Sequence, residues 1–175
     1  MAIPQIPNYD ECLQVLQQTP LIIRNLVSIA TPEQLQWRPN ADRWSIAMVL
    51  AHLADVETRG FQDRFIPMLY EDRPILKSYD QWEIFRAQTD FDPDAELMRF
   101  EGKRSATLSL LRGLDDGAGR RTGQHEEFGV ITVAQLMNEF TFHDFGHIRQ
   151  IMELYRSHAL YPHMGPYQSY YRINP

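Results

Sequence analysis

Thr132–Leu154 reads TVAQLMNEFTFHDFGHIRQIMEL, and the period of its apolar residues decides the fold. Val133, Leu136, Phe140, Ile151 and Leu154 recur in steps of three and four, the rhythm of one helix face. Thr132 opens the run with Thr-x-x-Gln, a capping box in which Gln135 reaches back to the Thr132 N–H. Continuing the same steps through the middle lands on His143 and His147, so both imidazoles lie on the stripe. Helical residues four apart have Cβ atoms ~5–6 Å apart, close enough for two ring nitrogens to reach one ion. The plain alternative is a pair of core histidines bonded to carbonyls or carboxylates. An unpaired buried polar group costs ~1–3 kcal/mol, so each must find some partner.

Working towards the N-terminus, the same rhythm returns. Ser45 is the cap of a helix through SIAMVLAHLADVETRGFQDRFIPMLY, with Ile46, Val49, Leu50, Leu53, Val56, Phe61 and Phe65 in phase, closed at Pro67 and EDRP. His52 follows Val49 by three and precedes Val56 by four, so a third imidazole lies along an inward row. A further helix starts at Pro93, carries Leu97, Phe100, Leu108 and Leu111, and ends at Gly113. Thr19-Pro20, Thr31-Pro32 and Asp92-Pro93 each pair a capping side chain with proline at the first helical position. On that rule Pro20 divides the opening region into a helix from about Tyr9 to Gln18 and a second or kinked one through Leu26 to Ile29. The connection from Glu71 to Asp92 is long enough to cross the end of a bundle, with a short helix around Gln81 to Ala87. No strand alternation, repeat or low-complexity segment stands out. The expectation is an all-α four-helix bundle, one domain over residues 1–175, with a long crossover between the second and third main helices.

Composition limits the function classes. The chain has 175 residues, 43% of them hydrophobic, and a formal net charge of -6. No Lys/Arg run is interleaved with aromatics, so nucleic-acid binding is not expected. Cys12 is the single cysteine, which excludes an intramolecular disulfide and suits a reducing compartment. The N-terminus lacks the pattern of a signal peptide, and no apolar stretch approaches the ~20 residues of a membrane span. A cytoplasmic address follows.

Three histidines from two helices would leave one position of an ion open, which is how catalytic zinc sites are built. His143-Asp144-x-x-His147 differs from the metalloprotease H-E-x-x-H by Asp for Glu, but the shorter acid and the missing strand region argue against a protease. Asp144 reads instead as a solvent-facing acid or as a partner orienting an imidazole. Without Glu-x-x-His anywhere, a di-iron carboxylate bundle is set aside. Asp55, one turn after His52, could orient that ring or take protons from bound water. Trp44 and Phe142 are candidate pocket walls, with core the better role for Trp44. His125, His158 and His163 read as surface histidines. The tyrosine-rich tail, YPHMGPYQSYYRINP, is expected to pack across a bundle mouth or a second copy.

With these residues in hand, the chain resembles the DinB-like superfamily. TPLIIRNL, EQLQWRPNADRWSIAMVLAHLADVE and GVITVAQLMNEFTFHDFGHIRQI carry the likeness. The second segment holds Trp44, Ser45, Ile46 and His52 of the family's Trp-Ser-Ile-x-x-x-Leu-x-His-Leu signature. The third holds His143, His147 and Gln150 of its His-x-x-x-His-x-x-Gln helix. The resemblance implies a four-helix bundle with a crossover, a mononuclear divalent metal (zinc or nickel) on His52, His143 and His147, and frequent homodimers. It further implies thiol-dependent transfer chemistry with a low-molecular-weight thiol and an electrophile as partners. A non-catalytic metal-binding or stress-associated protein, and a hydrolase that uses metal-activated water with Asp55 or Asp144 as base, stay open beside it.

Overall fold

Caps set where the helices begin. The computed structural model describes residues 5–175, in which the helices are α1 (Tyr9–Ser28), α2 (Pro32–Gln36), α3 (Ile46–Val56), α4 (Asp63–Tyr70), α5 (Glu83–Ala87), α6 (Pro93–Arg112) and α7 (Val133–Tyr155). Thr31 and Thr132 both form reciprocal capping boxes, with Gln34 and Gln135. Ser45 Oγ accepts from Met48 N at 3.2 Å, and Asp92 Oδ1 accepts from Asp94 N at 3.0 Å.

Thr19-Pro20 departs from this pattern. Pro20 does not divide the opening region: α1 is one helix of 20 residues with the proline inside. Thr19 is no cap, since its hydroxyl donates to Val15 O at 2.9 Å. A proline at this position withholds the N–H that the Leu16 carbonyl would otherwise accept. Arg104 replaces it, its Nη1 donating to Leu16 O at 2.9 Å.

The second main helix runs from α3 through a π-helical turn, Glu57–Gln62, into α4, and Pro67 lies within α4 instead of ending it. Gly60 is required in this turn, because a Cβ there would collide with Val56 Cγ2. Together with α1, α6 and α7 this helix builds a four-helix bundle. Its interior falls into one apolar cluster around Trp44, Ala47, Leu50, Phe100 and Ile151, and another around Phe61, Phe65, Leu111, Met137 and Phe140.

Contacts settle the directions. Arg99 reaches Ala51 O, Lys103 reaches Ala54 O, Arg104 reaches Glu57 and Gln62 reaches Thr107. Residue numbers rise together, so the second and third main helices run the same way. Residues 71–92 therefore return along the bundle, placing Tyr79 beside Asp55 and Phe85 beside Trp44. The α1 helix opposes α6, with Tyr9 at Leu111 and Arg24 at Glu101. Likewise α7 opposes the second main helix, with Phe140 against Phe61 and His143 against His52.

A small sheet corrects the expectation of no strands. β1 (Ile75–Leu76) pairs in parallel with β2 (Thr122–His125), which forms an antiparallel hairpin with β3 (Gly129–Thr132). Four-residue strands such as Thr-Gly-Gln-His are too short for alternation to register, and β1 finds its partner only through the fold. Gly123 allows the close approach: a Cβ there would lie 2.7 Å from Leu76 Cδ1. No helix among the described residues is long and apolar enough to cross a membrane.

Candidate metal centre

His143 and His147 stand one turn apart on α7, and the opposed α3 brings His52 level with them. His143 Nε2 lies 3.2 Å from His52 Nε2 and 3.1 Å from His147 Nε2. The three imidazole nitrogens thus converge within 4.8 Å of one another. Ligands that each lie ~2.0–2.1 Å from a single ion are separated by about as much as these Nε2–Nε2 contacts. The donor set of three imidazoles suits a borderline divalent metal. Among the described residues no further His, Cys, Asp or Glu joins the group.

Burial prepares the rings as neutral donors. Desolvation pushes the pKa of His52 and of His143 well below the ordinary histidine value, and His147 is lowered for the same reason. Outer contacts fix the tautomers. His147 Nδ1 donates to Gln150 Oε1 at 2.9 Å, which leaves its Nε2 lone pair for the centre. The His52 ring turns Nδ1 towards Tyr79 Oη at 3.4 Å, and Tyr79 donates to Asp55 Oδ2 at 2.9 Å. Asp55 therefore acts on His52 through a tyrosine. Burial and the neighbouring Asp55 charge raise the Tyr79 pKa far up, so the phenol keeps its proton. His143 has no partner at Nδ1 among the described residues, and Phe61 packs edge-on against its ring at 5.4 Å. Trp44 closes one side, stacked parallel to His147 within 7° and tilted against His52 at 4.9 Å.

Asp144 corrects both expectations for it. It is 0% exposed and makes no bond to an imidazole; its two oxygens accept from Arg104 Nη1 and Nη2 at 2.6 and 3.0 Å. Arg104 Nε also sits 3.0 Å from both oxygens of Glu57. The guanidinium lies between the rings of Phe100 and Phe140, 4.8 and 4.5 Å from their centroids. One arginine on α6 thus binds each of the other three main helices, at Leu16, Glu57 and Asp144. Burial pushes the Glu57 pKa up, opposed by the Arg104 charge.

Other expectations fall differently. Phe142 is 79% exposed and, with Cys12, Asn138 and Phe145, lines a depression separate from the histidines, whereas Trp44 is both core and wall. His125 is buried in β2, its Nδ1 accepting from Glu127 N at 3.1 Å, and His158 stacks on Trp37; His163 is exposed. In the tail, Tyr167, Tyr170 and Tyr171 are exposed, and it is the segment from Arg172 to Pro175 that packs. Arg156 donates to Arg172 O, Asn174 N donates to Glu153, and Arg43 donates to Pro175 O.

Tyr79, Glu57 and Arg104 were missed from sequence. For Arg104 the signal was present: 97, 100, 104, 108 and 111 form one row, and a charge in an apolar row is as telling as a histidine. Tyr79 carries no such signal, because it lies in an aperiodic connection.

Known proteins share this fold. The chain is 28% identical over 150 residues to YfiT of Bacillus subtilis, named "putative metal-dependent hydrolase", with 84% of each chain covered. A protein of the same name from Oceanobacillus iheyensis is 26% identical over 147 residues, covering 83% of this chain and 84% of the other. The solved structure of Bacillus subtilis YfiT, described as having an unusual four-helix bundle topology, superposes with a TM-score of 0.78 at 27% identity, over 89% of this chain and 90% of that one. Residues 16–151, a span that includes His52, His143 and His147, match the DinB superfamily, and the chain belongs to that family.

Proposed function

We propose that this is a divalent-metal-dependent S-transferase in which His52, His143 and His147 hold zinc or nickel through Nε2. The observation that carries the reading is the triangle of Nε2 atoms, joined by no fourth His, Cys, Asp or Glu among the described residues, while both nearby carboxylates are engaged. Asp144 is taken by Arg104, and Asp55 by Tyr79 and Arg59. A thiol is far more acidic than water, so it gives its proton to solvent with less need of a neighbouring base. When bound, the ion supplies a Lewis acid that lowers the pKa of a thiol at its open side.

The chain's own groups do the remainder. Gln150 and Tyr79 hold two of the rings, and Trp44 and Phe61 exclude water from them. In the reaction a low-molecular-weight thiol gives its proton to solvent. Its sulfur forms a bond to an electrophilic carbon while that carbon's bond to the leaving group breaks.

The name borne by the relatives favours a second reading, hydrolysis by activated water. A closed, non-catalytic site is disfavoured because no fourth His, Cys, Asp or Glu joins the three histidines among the described residues. A homodimer is also proposed, with the exposed Phe142 and Phe145 on α7 as its apolar contribution, to be checked by light scattering on F142S/F145S.

Elemental analysis of untagged protein, with His52→Ala and His143→Ala, tests the centre. Stoichiometric metal in the wild type and its loss in both variants is expected. A conjugation screen of several thiols and electrophiles, run beside ester and amide substrates, then separates transfer from hydrolysis. Turnover of esters or amides with no thiol consumption would overturn the transferase reading.

A further inference from the structure

Trp44 and Gln150, which back the histidine triangle, also line a cavity of about 540 Å³. That volume is of small-molecule size. Its walls include Arg43, Arg149, Arg156 and Arg172, with Glu153 the sole acidic side chain, in a chain of net charge -6. Glu153 is already bound to Arg156, and Arg43 to Asn174 and Pro175. Arg149 and Arg172 make no side-chain hydrogen bond or ion pair with the described residues.

We infer that this cavity is the subsite for a carboxylate of the substrate or thiol, bound by Arg149 and Arg172. Guanidinium forks match the two coplanar oxygens of a carboxylate. Trp44 joins the two halves of the site. Its ring lies against His147, 6.2 Å between centroids, and it also lines the cavity. The packed tail completes the wall, since the Arg156 bond to Arg172 O fixes the backbone that presents Arg172. The inference rests on the metal-centre reading for what the held molecule is presented to, but the anion is bound by residues outside that centre.

Titration calorimetry with succinate on the full chain, metal-loaded and metal-free, tests it, with succinamide as the uncharged match and inorganic phosphate as the rival anion. Succinate is expected to bind both forms and succinamide neither. R149Q/R172Q should weaken succinate about tenfold or more, the scale of a lost charge-assisted contact. R121Q, an exposed arginine elsewhere, should stay within about twofold, the margin for bulk charge alone. Equal binding of succinamide, equal loss in R121Q, or phosphate binding more tightly than succinate would overturn the assignment. Absence of metal with succinate binding intact would sink the metal-centre reading and leave this one standing.

Discussion

Arg104→Met is the sharpest perturbation, because it strands two carboxylates of almost zero exposure. Arg104 is 1% exposed in its side chain, and Glu57 and Asp144 are 0%. Removing one partner of a buried pair costs about 3–5 kcal/mol. A stranded carboxyl escapes by taking up a proton. At pH 7 that requires ~3 pH units of neutralisation, about 4 kcal/mol for each group. Leu16 O loses its donor as well, with Pro20 unable to supply another. A loss of roughly 5–8 kcal/mol at pH 7 follows, comparable to the whole stability of many domains. Its pH dependence identifies the cause. Carboxyls protonated in the native state and ionised in the unfolded chain make stability fall as pH rises, by about 1.4 kcal/mol per unit for each group. Urea denaturation of R104M, taken relative to wild type at each pH so that the histidines cancel, should therefore recover by about 2 kcal/mol per protonated carboxyl between pH 7 and 5.5. E57Q/R104M/D144N should restore most of the loss. A deficit under about 2 kcal/mol at pH 7, or one unchanged at pH 5.5, refutes the reasoning.

Tyr79→Phe removes the hydroxyl between His52 and Asp55, and chelator competition should show metal affinity down by about 10–100-fold. In metal-free protein, His52, His143 and His147 are held neutral by desolvation while the unfolded chain protonates from about 6.5 downward. Stability should therefore fall on acidification below that value, by up to about 1.4 kcal/mol per pH unit for each ring, and His147→Gln should flatten the slope. Pro20→Ala would ordinarily relieve a helix interior of ~3 kcal/mol, but here Leu16 O already has a donor, so thermal melts should show a gain under about 1 kcal/mol.

What could be read in the sequence was whatever stays in phase with a helix. The stripe from Val133 to Leu154 and the row around Val49 and Val56 located all three histidines before any contact was known. Gln150 came with them through the resemblance. Arg104, Glu57 and Asp144 occupy inward rows too, but an apolar stripe does not single them out, and Asp144 reads equally as a solvent-facing acid or as a partner of an imidazole. Pro20 was misjudged for another reason. Local rules end a helix there, and the group that makes the proline tolerable is Arg104, far along the chain. The strands gain their pairing from distant segments, so no local pattern marks them. Tyr79 reaches His52 only because the returning connection passes Asp55.

The parallel course of the second and third main helices sets an order of events during synthesis. His52 leaves the ribosome early, yet His143 follows 91 residues later, after the return segment, α6 and the hairpin. A nascent chain ending before α7 has one imidazole of three, and Glu57 waits equally for Arg104 and Asp144. Any ion captured at this centre is thus a late fastener. It closes a long loop that the finished bundle has already drawn together, and its affinity should report whether the fourth helix has docked.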